Sequence, residues 1–133
     1  MNSPDACDSM HRLLALLFEP GDVFEVRAPD CREHRDARYT FTCSGYFSVE
    51  TLDEALIRIN ELDRSGIAPS IYVTMNPVAP ALLARAANRI KVRARETTQD
   101  KDIVRRRWLL IDADPVRPAG VSSTDASAAA ANS

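Results

Sequence analysis

Long apolar runs are missing from this chain. The longest, Leu13 to Phe18, falls far short of the roughly 20 residues that a membrane-spanning helix needs. Acidic residues precede that run and no small-residue cleavage site follows it. The N-terminus therefore does not read as a secretory signal, and a cytoplasmic protein is expected. Cysteine and histidine are scarce. Cys7, Cys31 and Cys43 are far apart, odd in number and form no C-x-x-C pair, and His11 and His34 are the only imidazoles. This set argues against a zinc centre and for reduced thiols in a reducing compartment. Internal repeats are also lacking, so 133 residues read as one modest domain.

What is present is the balance of a globular chain that can bury a core: 45% hydrophobic and 27% charged residues. The net charge of −2 conceals an asymmetry. Arg85 to Arg117 holds ten basic and five acidic residues, and the remainder seven basic and fourteen acidic. A basic segment in an acidic protein is the pattern of a surface that faces phosphate, and equally of a solvated charged face.

Ser3-Pro4-Asp5 reads as a helix start, followed by apolar residues through Phe18 and a stop at Glu19-Pro20-Gly21. Asp22 to Arg27 reads as a strand, Ala28 to Arg38 as a loop carrying Pro29, and Tyr39 to Cys43 as a second strand ended by Gly45. Thr51 and Glu54 have the spacing of a capping box. Leu52, Ala55, Leu56, Ile59 and Leu62 then fall on one helical face, with Gly66 as the stop. Ile71 to Met75 reads as a short strand closed by Asn76-Pro77, and Pro80 to Arg89 as a helix. Lys91 to Lys101 reads as a mobile connection and Ile103-Val104 as a short element. Trp108 to Ile111 is continuously apolar, as a strand buried on both faces should be. The fold class expected is α+β, with helices packed on a mixed or antiparallel sheet. Residues 1–125 form the expected domain and the alanine-rich residues 126–133 a disordered tail.

Asp112 and Asp114 follow that last apolar run. Carboxylates at i and i+2 of a strand share a face. Roughly 5–7 Å apart, they repel by about one to a few kcal/mol, which a divalent cation relieves while gaining oxygen ligands. Such a pair suits Mg²⁺ or Mn²⁺ and phosphoryl or nucleotidyl transfer; the same spacing also caps turns. Arg105, Arg106 and Arg107 precede the pair and Arg117 follows it, held in a loop stiffened by Pro115 and Pro118. Guanidinium groups bind phosphates through paired hydrogen bonds. The alternative is pairing with Asp100, Asp102 or Glu96. Ser122, Ser123 and Thr124 offer hydroxyls, or a helix cap.

The run Arg106-Arg107-Trp108-Leu109-Leu110-Ile111-Asp112-Ala113-Asp114-Pro115-Val116-Arg117-Pro118 and onward to Asp125 resembles the first catalytic motif of bacterial and phage primase-polymerase domains, in the archaeo-eukaryotic primase superfamily. Upstream, Gly21 to Arg27, Ser44-Gly45-Tyr46-Phe47, Tyr72 to Val78, Ala81 to Arg89 and Thr97 to Asp100 are similar to that family's early strands and turns. The resemblance runs from about Arg12 to Asp125. It implies a DNA-dependent nucleotidyl transferase of replication, joined to a helicase or replication module. It further implies Asp112 and Asp114 as metal-binding catalytic residues. Arg117, Arg107, Arg106, Arg105, Lys91 and Arg89 would then lie along single-stranded template and nucleoside triphosphate.

The sequence also departs from that pattern. The family's second motif, with a nucleotide-contacting histidine, and its third, with another acidic ligand, both follow the first. Here both histidines lie upstream and an alanine-rich stretch follows Asp125. Ala79 stands where a polar residue is common. The expectation is therefore a truncated or split domain, inactive alone; the alternatives are a non-catalytic nucleic-acid-binding module and an inert gene remnant.

Overall fold

In the computed structural model, which describes residues 4–109, the chain opens with α1 (Pro4–Leu17). Proline in the first turn costs no helical hydrogen bond, because that amide would be unpaired anyway. The expected stop is a tight turn. The Asp22 amide donates to the Glu19 carbonyl at 3.0 Å, Pro20 supplies a fixed φ and Gly21 a φ of 87°, the residue pattern of a type II turn.

Asp22 leads into β1 (Val23–Cys31), which pairs antiparallel with β2 (Phe41–Ser48). The register shifts between Ala28 and Cys31, where Asp30 adopts a φ of 57°. This bulge accommodates Pro29, which has no ladder proton to give. The expected loop at Ala28 therefore begins only after Cys31. Gly45 does not end β2. It lies mid-strand, opposite Val26 on one side and Ile90 on the other.

The helix α2 (Leu52–Ser65) ends, as expected, at a left-handed Gly66 whose amide bonds the Asp63 carbonyl. Its expected capping box does not form. The Thr51 hydroxyl sits 2.9 Å from the Ser48 carbonyl and 2.8 Å from Asn88 Oδ1, and Glu54 pairs with Arg58 at 2.6 Å. Two short strands, β3 (Tyr72–Val73) and β4 (Ile90–Lys91), complete a sheet of order β3-β1-β2-β4, antiparallel throughout. The architecture is α+β, as the sequence implies.

Pro80 begins a 3-10 helix that ends at Arg85 rather than a helix through Arg89. Sheet pairing takes over: Tyr46 N donates to Ala86 O at 2.9 Å and Asn88 N to Tyr46 O at 2.8 Å. Residues 91–101 are not a free connection either. Ala94 N bonds Thr42 O at 2.7 Å, and Thr98 N bonds Glu25 Oε1 at 3.3 Å. Ile103 does form a short element, bridging Val78. Trp108 and Leu109 belong to no strand, and Leu109 is 83% exposed. Leu110 and Ile111 lie outside the described residues, as does the alanine-rich segment.

The helices cover one face of the sheet. Leu14 and Phe18 of the α1 region and Leu52, Ala55 and Ile59 of α2 meet Phe24, Val26 and Phe47, with Phe18 stacked on Phe24 at 4.9 Å. Each such large side chain stabilises the fold by about 1.5–3 kcal/mol. The other face is covered by chain from beyond β3: Val23 and Tyr46 pack with Val78, Leu82 and Ile103. Burial of β1 on both faces follows. Among the described residues no helix is long and apolar enough to cross a membrane.

Cys31 and Cys43 are buried together beside Ala28. Burial, then the neighbouring Cys31 thiol, pushes the Cys43 thiol up to about 11. The histidines lie apart from them: His11 faces Asp53 at 3.5 Å and His34 is exposed. Among the described residues no group of three or more histidine, cysteine or acidic side chains is placed to hold a metal.

Candidate functional site

Asp112, Asp114 and Arg117 lie outside the described residues. The chain up to Leu109 is described, and it is anchored. Val78 N donates to Val23 O at 2.9 Å, Ala79 N to Asp102 O at 2.8 Å and Val104 N to Pro77 O at 3.0 Å. Residues 102–104 thus extend the sheet outward past β1. Further on, the Asn76 side chain holds Trp108 by its backbone: Oδ1 accepts from Trp108 N at 2.8 Å and Nδ2 donates to Trp108 O at 3.1 Å. A side-chain amide here supplies the donor and acceptor that a neighbouring strand would give. Trp108 Nε1 and Arg107 donate to the Leu17 carbonyl at 2.8 and 3.1 Å. Leu17 is the last residue of α1, where carbonyls lack helical partners and cations are favoured.

Two of the expected phosphate-binding arginines are engaged inside the protein. Arg107 reaches Asp22 Oδ2 at 2.7 Å, and Arg105 lies 3.5 Å from Asp22 and 3.7 Å from Glu19. Of the acids that sequence reasoning offered them, Glu96 faces Arg85 at 3.4 Å and Asp102 accepts from Gln99 N at 2.9 Å. Arg106, Lys91 and Arg89 are exposed, with no ion pair to another described residue. Among the described residues the expected basic side chains lie in two places. Arg105 to Arg107 lie along the outer sheet edge, whereas Arg89 and Lys91 lie at β4, beyond β2.

Burial works against charge on Asp22, but the Glu19 amide, Arg107 and Arg105 outweigh it and hold its pKa below the ordinary value of 3.8. A folded-state carboxyl that binds its proton less tightly than the unfolded one stabilises the fold above the unfolded pKa. That stabilisation is lost as pH falls from about 4 through the lower folded value. Asp22→Asn is expected to cost about 2 kcal/mol at pH 7, from loss of a charge-assisted bond at a nearly buried site. The deficit should shrink below pH 4, where wild type also loses the charge. Urea melts at pH 7 and pH 3 test this; an equal deficit at both would assign the effect to shape.

A polar cluster occupies the second sheet face. Glu25 is fully buried. Its Oε1 accepts from Arg27 at 2.7 Å and its Oε2 from the Ser44 hydroxyl at 2.5 Å. Arg27 also donates to Thr98 O at 2.8 Å. Beside it, the Tyr46 hydroxyl accepts from Arg85 at 3.2 Å and lies 3.3 Å from Thr98 Oγ1, while Arg85 donates to Thr97 O at 3.2 Å. Residues 97–98 therefore cross the sheet face as a strap held by polar side chains. A cleft of about 360 Å³ opens on one side, with Ser44, Tyr46, Arg85, Lys91, Arg95 and Glu96 among its walls. A second, of about 410 Å³, opens on the other, beside Glu25, Arg27, Thr74 and Thr98.

Of these residues sequence reasoning named only Lys91 as a candidate nucleic-acid or nucleotide contact. One signal was present: Glu25 stands between Phe24 and Val26 in an apolar strand, and a buried carboxylate requires partners. Arg85 and Arg95 gave no signal beyond membership of the basic segment. No protein-family model, no curated protein and no solved structure matches the chain.

Proposed function

We propose that the chain is part of a primase-polymerase-like domain, related to the DNA-dependent nucleotidyl transferases of replication. In this reading Asp112 and Asp114 are the metal-binding carboxylates. The observation that supports it is the anchoring of the motif's first residues. Arg107 is tied to Asp22 and Leu17, and Trp108 to Asn76 and Leu17, so the chain sets out for Asp112 from a fixed point on the sheet edge. Two hard carboxylate donors suit Mg²⁺ or Mn²⁺ by their chemistry. When bound, such ions activate a 3′-hydroxyl and neutralise triphosphate charge. The residues of this chain contribute carboxylate ligands and a braced backbone, with Arg106 and Arg117 as candidate phosphate contacts and single-stranded DNA and nucleoside triphosphates as partners. Arg105 and Arg107 act as positioning residues.

Metal binding itself is testable without turnover. Wild type should melt higher in millimolar Mn²⁺, by under about 1 kcal/mol of linkage. Asp112→Asn should abolish that gain while melting at the same temperature or slightly higher without metal, because one repelling charge is gone. An unchanged Mn²⁺ response in the variant would place the ion elsewhere.

A further inference from the structure

The cleft between β4 and the strap contains more positive charge than its own residues neutralise. Arg85, Lys91 and Arg95 line it, with Glu96 as the carboxylate among its walls. Arg85 is fixed from behind: the Tyr46 hydroxyl and the Thr97 carbonyl each accept from its Nη1 at 3.2 Å. Its Nε faces Glu96 at 3.4 Å, and that carboxylate is 74% exposed. A guanidinium already held in place gives up little freedom when an anion arrives. The acid in front of it is a surface group, whose pairing contributes little and is easily exchanged. Lys91 and Arg95 are exposed and make no ion pair with another described residue.

We propose that this cleft binds a phosphate group, with Arg85 as the fixed contact, Lys91 and Arg95 as mobile cations, and the Glu96 carboxylate standing where the phosphate oxygens would sit. The ligand class is a nucleoside triphosphate or the backbone of single-stranded nucleic acid, which share this chemistry. The inference extends the phosphate-ligand part of the reading above but does not use the Asp-x-Asp pair. Glu96 acts as an internal competitor: the ligand must displace it, and its removal leaves Arg85 open. The floor hydroxyl of Ser44 already donates to Glu25, whereas that of Tyr46 accepts from Arg85 and keeps its own proton, so selectivity rests chiefly on charge, with Tyr46 as the one floor hydroxyl left to donate.

The test is binding of ATP without metal, and of a labelled oligothymidylate, to the full chain in dilute and moderate salt. Glu96→Gln should tighten binding several-fold. The double variant Lys91→Gln/Arg95→Gln should weaken it about tenfold and, for the oligonucleotide, flatten the salt dependence by roughly 1.4 log units per log unit of salt. All binding is read without divalent metal, so failure of the metal reading leaves this test standing. Binding of ATP alone identifies the nucleotide as the source; competition between the two ligands identifies a shared site. No binding of either in dilute buffer, weaker binding by Glu96→Gln, or unaltered binding by the Lys91/Arg95 variant would overturn the proposal. Lys91, Arg95 and Glu96 are exposed, and a thermal melt of each variant checks that the fold is kept.

Discussion

Glu25→Ala is expected to destabilise the protein by about 3–5 kcal/mol, the cost of removing one partner from a buried ion pair. Glu25 has no solvent exposure. Its carboxylate accepts from Arg27 at 2.7 and 3.3 Å, from Ser44 at 2.5 Å and from Thr98 N at 3.3 Å. Alanine leaves the Ser44 hydroxyl and the Thr98 amide without that acceptor at a buried position, and each unsatisfied buried donor costs about 1–3 kcal/mol. Arg27 keeps its bond to Thr98 O at 2.8 Å and its side chain is 35% exposed, so hydration offsets part of its loss. Glu25→Gln preserves the shape and one acceptor, and should cost less, about 1–3 kcal/mol. The double variant Glu25→Ala/Arg27→Ala should recover part of the single-site loss, since the orphaned cation goes with its partner. Urea midpoints at constant slope measure all three. A Glu25→Ala loss below 1 kcal/mol would mean that water replaces the carboxylate, and that the strap does not seal this face.

That prediction also marks where the sequence became hard to read. The helix-covered face was legible, because its signals are local. Pro20 and Gly21 stop α1, the apolar stripe from Leu52 to Ile59 marks the buried side of α2, and Gly66 ends it. The opposite face was not, because its partners are distant. Glu25 and Thr98 are 73 positions apart, and Arg85 meets Tyr46 across 39. An alternating reading of β1 sends Glu25 to solvent; only the return of residues 76–103 over the sheet buries it.

The same non-local coverage shortened the expected Pro80 to Arg89 helix. Its helical pattern is satisfied for six residues, after which Ala86 and Asn88 gain ladder bonds to Tyr46. Tertiary pairing overrides propensity there. Charge was similarly ambiguous. Arg105, Arg106 and Arg107 are equivalent as a sequence triplet, yet two of them close on Asp22, which the turn at Pro20-Gly21 places beside them, and one faces solvent. Asp-x-Asp and its resemblance rest on sequence, since those residues lie outside the described ones.

Gly45→Ala carries the second large expected effect, about 3 kcal/mol, at the upper end of the cost of overpacking a close contact. An alanine Cβ would lie 2.0 Å from the Arg89 carbonyl oxygen, 2.8 Å from its carbon and 2.9 Å from Ile90 Cα. All three are backbone atoms, so no rotamer change relieves the clash; β4 itself must move. The chain reaches this approach through Asn88 in a left-handed turn with φ of 55°, held by Asn88 N to Tyr46 O at 2.8 Å. Displacing β4 breaks its pairing with Ser44 and Gly45 and shifts Lys91 in the wall of the cationic cleft. The variant should therefore also bind ATP and oligonucleotide more weakly, while its Mn²⁺ response persists. Gly21→Ala is the control. Nothing lies within 4 Å of its Cβ position, so it carries only the cost of a positive φ, about 1–2 kcal/mol. Urea melts and hydrogen exchange at the Ile90 and Lys91 amides distinguish the two. Unaltered exchange at those amides in Gly45→Ala, with a loss no larger than that of Gly21→Ala, would show that β4 does not press against β2 in solution.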